Sequence, residues 1–220
     1  MNTPESREGN LIRYAAYVIG YLMAAGVVKL VTMKSPVRIW DLILFTLISV
    51  MVLLFYIYRF NREQRFFETN PNISWLKNFG LIIGLTLVVT VLRISVSFMQ
   101  SCGKLGFYDF QIGYLQHESR SLYWFLFVAL GVVLPVLQIF LSTGFLFNYA
   151  FRKNTAFVAL LGIITSGILF SVLNWQSSIP LLLINAVFGA LFAWSYLYTQ
   201  TLWMPLYLAV VNGIVLIIMM

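Results

Sequence analysis

Residues 121–148 read SLYWFLFVALGVVLPVLQIFLSTGFLFN, and the stretch carries no charged side chain. About 20 apolar residues suffice to carry a helix across the hydrocarbon core of a bilayer. This run exceeds that length, so it is expected to tilt, or to bend near Pro135. Only helices and closed barrels satisfy their backbone polar groups inside lipid. The apolar residues here are continuous rather than alternating, which selects a helix over a barrel strand.

Working outward, the same pattern recurs over residues 11–32, 39–59, 78–99, 155–174, 179–198 and 202–219. The sequence therefore predicts an all-α, polytopic transmembrane helical bundle of about seven membrane-spanning helices. Residues 1–220 are expected to form one integral membrane domain, with no low-complexity tract and no repeat. The first run is long, and Lys34, Pro36 and Arg38 follow it instead of a small-residue cleavage site, so it is expected to stay as a membrane helix. Two connections are long, 60–77 and 100–120. The first is basic, with Arg62, Arg65 and Lys77; the second holds Cys102, Asp109, His117 and Glu118.

Composition narrows the chemistry. The chain is 61% hydrophobic and 10% charged, against about 25% charged in soluble domains. A single cysteine and a single histidine exclude an internal disulfide and any zinc site that needs several imidazoles. No cofactor is expected. In a membrane protein a net charge of +7 reads as orientation and contact with anionic lipid headgroups, not as a nucleic-acid surface. Arg7, Arg13, Arg59, Arg62, Arg65, Lys77, Arg152 and Lys153 fall on one side, and Lys29, Lys34, Arg38, Lys104 and Arg120 on the other. The richer side should be cytoplasmic, which puts the N-terminus inside and the chain in the cell membrane.

Polar groups within lipid are costly and are a reasonable place to look for function. Arg93 lies within the third run; Gln138, Ser142 and Thr143 within the fourth; Asn174, Asn185 and Asn212 in the fifth, sixth and seventh. Arg93, Gln138, Ser142 and Asn185 are candidates for binding a partner or substrate. The alternative is structural: interhelical hydrogen bonds, or an arginine that snorkels to the interface. No Glu or His falls inside a run. Amides cannot act as general bases near neutral pH, so water activation would have no obvious agent. Gly80 with Gly84, and Ala186, Gly189, Ala190 and Ala193, are spaced for close helix packing, within the bundle or in a homo-oligomer.

Residues 132–150, VVLPVLQIFLSTGFLFNYA, and 194–212, WSYLYTQTLWMPLYLAVVN, resemble the CAAX-protease and bacteriocin-processing family, also called Abi, whose members include membrane glutamate proteases. Pro135, Gly144, Leu146, Phe147, Phe170, Tyr196, Thr199, Leu202, Trp203, Pro205 and Asn212 fall in register with its framework. The resemblance spans roughly residues 130–215. It implies that the two family glutamates correspond to Gln138 and Ile139, the arginine to Thr143, and the two histidines to Asn174 and Ala209, while Asn212 keeps the family identity. These positions are expected to line a cavity.

With carboxylates and histidines replaced, the resemblance implies a non-catalytic member. Such a protein would bind and modulate another membrane protein, of the sensor histidine kinase or cell-wall hydrolase or synthase class, in a Gram-positive bacterium. The polar cavity and the small-residue faces would be its docking surfaces. Two other readings stay open. One is a protease with rearranged groups drawn from Asp41, Asp109, His117 and Glu118; the other is bacteriocin self-immunity. A transporter has little support without an acidic residue in mid-membrane.

Overall fold

The computed structural model describes residues 7–33, 37–63, 79–151, 155–174, 176 and 178–220. Lys34, Pro36, Arg65, Lys77, Arg152 and Lys153 lie outside the described residues. Eight helices are present among the described residues: α1 (Arg7–Thr32), α2 (Ile39–Glu63), α3 (Phe79–Ser101), α4 (Asp109–Gln116), α5 (Arg120–Ala150), α6 (Ala156–Leu173), α7 (Ile179–Thr199) and α8 (Trp203–Ile218). Six of them are long and apolar enough to cross a membrane; α8 is a shorter apolar helix. The chain is an all-α polytopic bundle, as the apolar runs predict. At 16 residues, α8 reaches only about 24 Å at the helical rise of ~1.5 Å per residue.

α5 is the central element. Two-thirds of its span is buried, far more than in any other crossing helix, and it touches α1, α2, α6, α7 and α8. Its 31 residues do not form one regular helix. π-helical turns occupy Ala129–Val133 and Phe140–Phe145. Pro135 lies two residues beyond the end of the first of them. A proline in a helix interior lacks an N–H and clashes with the preceding turn, and a widened turn just before it accommodates the ring. The irregularity expected near Pro135 thus takes the form of widened turns in an unbroken helix.

The other helices bury one stripe and turn the rest toward lipid. α1 buries Tyr17, Tyr21, Ala24, Val28 and Val31, at alternating spacings of four and three, while Ile12, Ile19, Met23 and Leu30 stay exposed. That is one face of a 3.6-residue period. Tyr17 stacks on Phe145, with ring centroids 4.3 Å apart, and the Tyr14 hydroxyl donates to the Leu141 carbonyl at 3.1 Å. Both partners lie in the second π-helical turn of α5. The Tyr56 hydroxyl of α2 donates to the Tyr17 carbonyl.

Small residues bring α6 and α7 together. A Cβ on Gly189 would fall 2.5 Å from that of Phe170, and one on Gly167 would fall 2.6 Å from the Ala186 carbonyl. The Ala186/Gly189/Ala190 stripe is therefore internal packing. Gly80 and Gly84 behave differently: a Cβ on either would meet nothing within 4 Å, so the G-x-x-x-G pair of α3 faces outward.

The connection over 100–120, expected as a loop, contains the short helix α4. Gln111 Oε1 accepts from the Tyr108 backbone N–H at 2.8 Å, which seats the first turn. Gly113 lies against Thr32, leaving no room for a side chain.

Candidate functional site

The intramembrane polar residues converge from five places in the chain. Arg93 comes from α3, Gln138 from the middle of α5, Asn174 from the end of α6, Asn185 from α7 and Asn212 from α8. With Tyr108 and Gln176 they form the polar part of a cavity of about 70 Å³. The apolar part is Phe110, Leu130, Leu134, Pro135, Phe170, Gly213 and Leu216. Lipid gives a polar side chain on any of these helices no partner, so the groups find one another in the interior.

Arg93 is 1% exposed, the largest fully buried side chain among the described residues. It points into the bundle and does not snorkel. Its Nε donates to Asn212 Oδ1 at 2.9 Å, and Nη1 donates to the Tyr108 hydroxyl at 2.6 Å. The guanidinium carbon lies 4.5 Å from the centre of the Phe188 ring and 5.6 Å from that of Tyr108. Ring faces carry negative charge density and attract such a cation. No carboxylate lies among the residues lining the cavity.

Gln138 and Asn174 form the second part of the network. Gln138 Nε2 donates to Asn174 Oδ1 at 2.9 Å and to the Tyr21 hydroxyl at 2.8 Å. Tyr21 in turn donates to the Leu173 carbonyl at 2.8 Å. Asn174 Nδ2 donates to the Phe170 carbonyl at 3.0 Å, while the Asn174 carbonyl accepts from Asn185 Nδ2 at 3.5 Å. Gln176 borders the cavity, and its Oε1 accepts from the Asp109 backbone N–H at 3.0 Å. That bond ties the turn after α6 to the start of α4.

The placement corrects part of the expected lining. Gln138, Asn174 and Asn212 border the cavity; Ile139, Thr143 and Ala209 do not. Ile139 follows Gln138 by one residue, about 100° around the helix, and is fully buried in the apolar core. Thr143 lies in the second π-helical turn, with its hydroxyl 3.4 Å from that of Ser166. Ala209 is fully buried outside the cavity. Ser142 is also fully buried, and its hydroxyl has no partner among the described residues. Arg93, Gln138, Ser142 and Asn185 are all buried, so no outside helix touches them in this conformation. At about 70 Å³ the cavity has no room for a peptide or a helix, because the amides bond across it and draw its walls together. Asp41 accepts from the Arg38 N–H at 3.1 Å, at the start of α2. Neither it nor Asp109, His117 or Glu118 lines the cavity.

Sequence reasoning missed Tyr21, Tyr108 and Gln176. Tyrosine is ordinary near membrane interfaces, and a glutamine in a turn carries no signal by itself.

A helical bundle with this many apolar spans and a buried polar centre defines a multi-pass membrane protein. Within it, residues 120–215 match the family described as Type II CAAX prenyl endopeptidase Rce1-like. The matched stretch runs from the start of α5 into α8 and includes every cavity residue except Arg93, Tyr108, Phe110 and Leu216. No curated protein and no solved structure matches the chain.

Proposed function

We propose that this protein is a non-catalytic relative of the membrane endopeptidases, which binds another integral membrane protein and modulates it. The observation that carries this reading is the cavity lining. Where the family pattern sets a glutamate and a histidine, the lining presents the amides of Gln138 and Asn174; Asn212 keeps the family's own amide, and Arg93 is the only charged side chain there among the described residues. Neutral amides can donate and accept hydrogen bonds but cannot take a proton from water near neutral pH. A guanidinium carries five donors and no acceptor, so it is no better as a base. The interior thus supports structure and recognition, not hydrolysis.

Docking belongs on the outside of the bundle. The G-x-x-x-G pair of α3 is bare, with Ile83, Leu87, Val88 and Val91 exposed around it. Such a face lets a second helix approach closely. The partner classes that the family resemblance favours are sensor histidine kinases and cell-wall hydrolases or synthases, in the cell membrane of a Gram-positive bacterium.

The test is recovery of the full chain from native membranes in a mild detergent. A stoichiometric integral membrane partner is expected, and Gly84→Leu should reduce its recovery while the protein's own level holds. Recovery of the chain alone would sink the proposal. So would cleavage of a prenylated peptide by the purified protein.

A further inference from the structure

Among the described residues, the cavity lining includes a cation and no anionic side chain. A buried charge is costly unless it is paired and hydrogen-bonded. Arg93 spends two of the five N–H groups that a guanidinium carries, one on Asn212 and one on Tyr108. The other three have no acceptor among the described residues. The side chains that cover it, Phe188 and Tyr108, present ring faces and no carboxylate.

Donors accumulate beside it. A guanidinium only donates, so Asn212 must turn its oxygen toward Nε. That leaves both Nδ2 hydrogens of Asn212 unspent. Asn185 Nδ2 reaches a protein acceptor only at 3.5 Å, the outer limit of a hydrogen bond. Two acceptors, Gln138 Oε1 and Asn185 Oδ1, have no partner among the described residues; they suit spare guanidinium hydrogens or a water. At about 70 Å³ the cavity exceeds the ~10–15 Å³ that a single water needs on the same measure.

We propose that this cavity is a binding site for a small monovalent anionic group, of halide or carboxylate size, held by Arg93 and the amides of Asn185 and Asn212. Hydrogen bonds between charged partners are shorter and stronger than neutral ones, and a buried setting strengthens them further. The source is either a free ion or the headgroup of an amphiphile. The site goes beyond the docking role, since it stands whether or not a partner protein binds outside.

The experiment uses the purified full chain in neutral detergent, in a buffer free of halide and carboxylate, at constant ionic strength. Tryptophan fluorescence reports the unfolding midpoint while chloride, formate or decanoate is titrated, with decanol as an uncharged control. A ligand that binds the folded state alone raises the midpoint in a saturable manner. A rise with chloride or formate identifies a free ion; a rise with decanoate alone identifies an amphiphile headgroup. Arg93→Gln should abolish either response. If that variant does not fold, Asn185→Leu serves, because it leaves both Arg93 hydrogen bonds in place and fills the cavity. It should weaken the response about tenfold through loss of a charge-assisted donor and of space. Chlorine NMR line broadening measures binding without reference to stability. A midpoint indifferent to all three ligands means that the cavity holds only water, and overturns the proposal. An unchanged response in both variants does the same.

Discussion

At the scale of single residues, Gln138 is the side chain most tightly specified by its surroundings. It turns one Nε2 group toward two oxygens, those of Tyr21 and Asn174. Gln138→Glu replaces that donor with a carboxylate and sets it against the Asn174 oxygen. The single variant is expected to lose about 2 kcal/mol or more, the cost of a buried polar group left unmatched. Asn174→His offers a ring N–H in place of that oxygen. The double variant should therefore be more stable than the sum of the two single changes, with a coupling of about 1–3 kcal/mol, typical of residues in direct contact. Unfolding midpoints of the four proteins measure it, and simple additivity would show that the pair does not act as a unit. Much of this site is legible in the sequence, because an amide or a guanidinium in the midst of an apolar run has nowhere to go but inward. Arg93, Gln138, Asn174, Asn185 and Asn212 announce themselves in that way. Ile139 and Ala209 enter only through motif register, and register says nothing about which way a side chain faces.

At the scale of elements, the same small-residue signal has two meanings, and the structure separates them. Gly189→Val puts side-chain atoms where the side chain of Phe170 and the backbone of Gly167 already are, so α6 and α7 must move apart. That should cost about 3 kcal/mol, at the upper end for overpacking, and should lower the yield of folded protein. Gly84→Val meets only open space and should leave the unfolding midpoint within about 0.5 kcal/mol, as surface changes do. Comparing the two melting curves checks both statements at once. Spacing alone cannot distinguish them, since G-x-x-x-G reads alike whether its face turns inward or outward. The long helices are legible because an apolar run of bilayer length has one common explanation. α4 is not, since its 8 residues are too few and too mixed to show a period. The second widened turn of α5 packs against Tyr14 and Tyr17, which lie more than a hundred positions away.

At the scale of the whole molecule, orientation is the open variable that the bundle makes testable. Cys102 is the one cysteine of the chain, and it is exposed just beyond α3. With the N-terminus inside and three spans before it, Cys102 should react with a membrane-impermeant maleimide in intact cells. In Cys102→Ala protein the labelling should vanish. Labelling that requires permeabilised cells would reverse the orientation inferred from the basic residues.

The bond between Arg93 and Asn212 joins positions 119 apart in the chain. When α3 leaves the ribosome, α8 does not yet exist, and a guanidinium in mid-bilayer costs about 2.5–3.5 kcal/mol on insertion scales. Until the last helix arrives, the third carries that cation without its Asn212 partner. A nascent chain halted before Trp203 would display that lone cation to the membrane's quality-control proteases, so completion of synthesis and escape from degradation become one event.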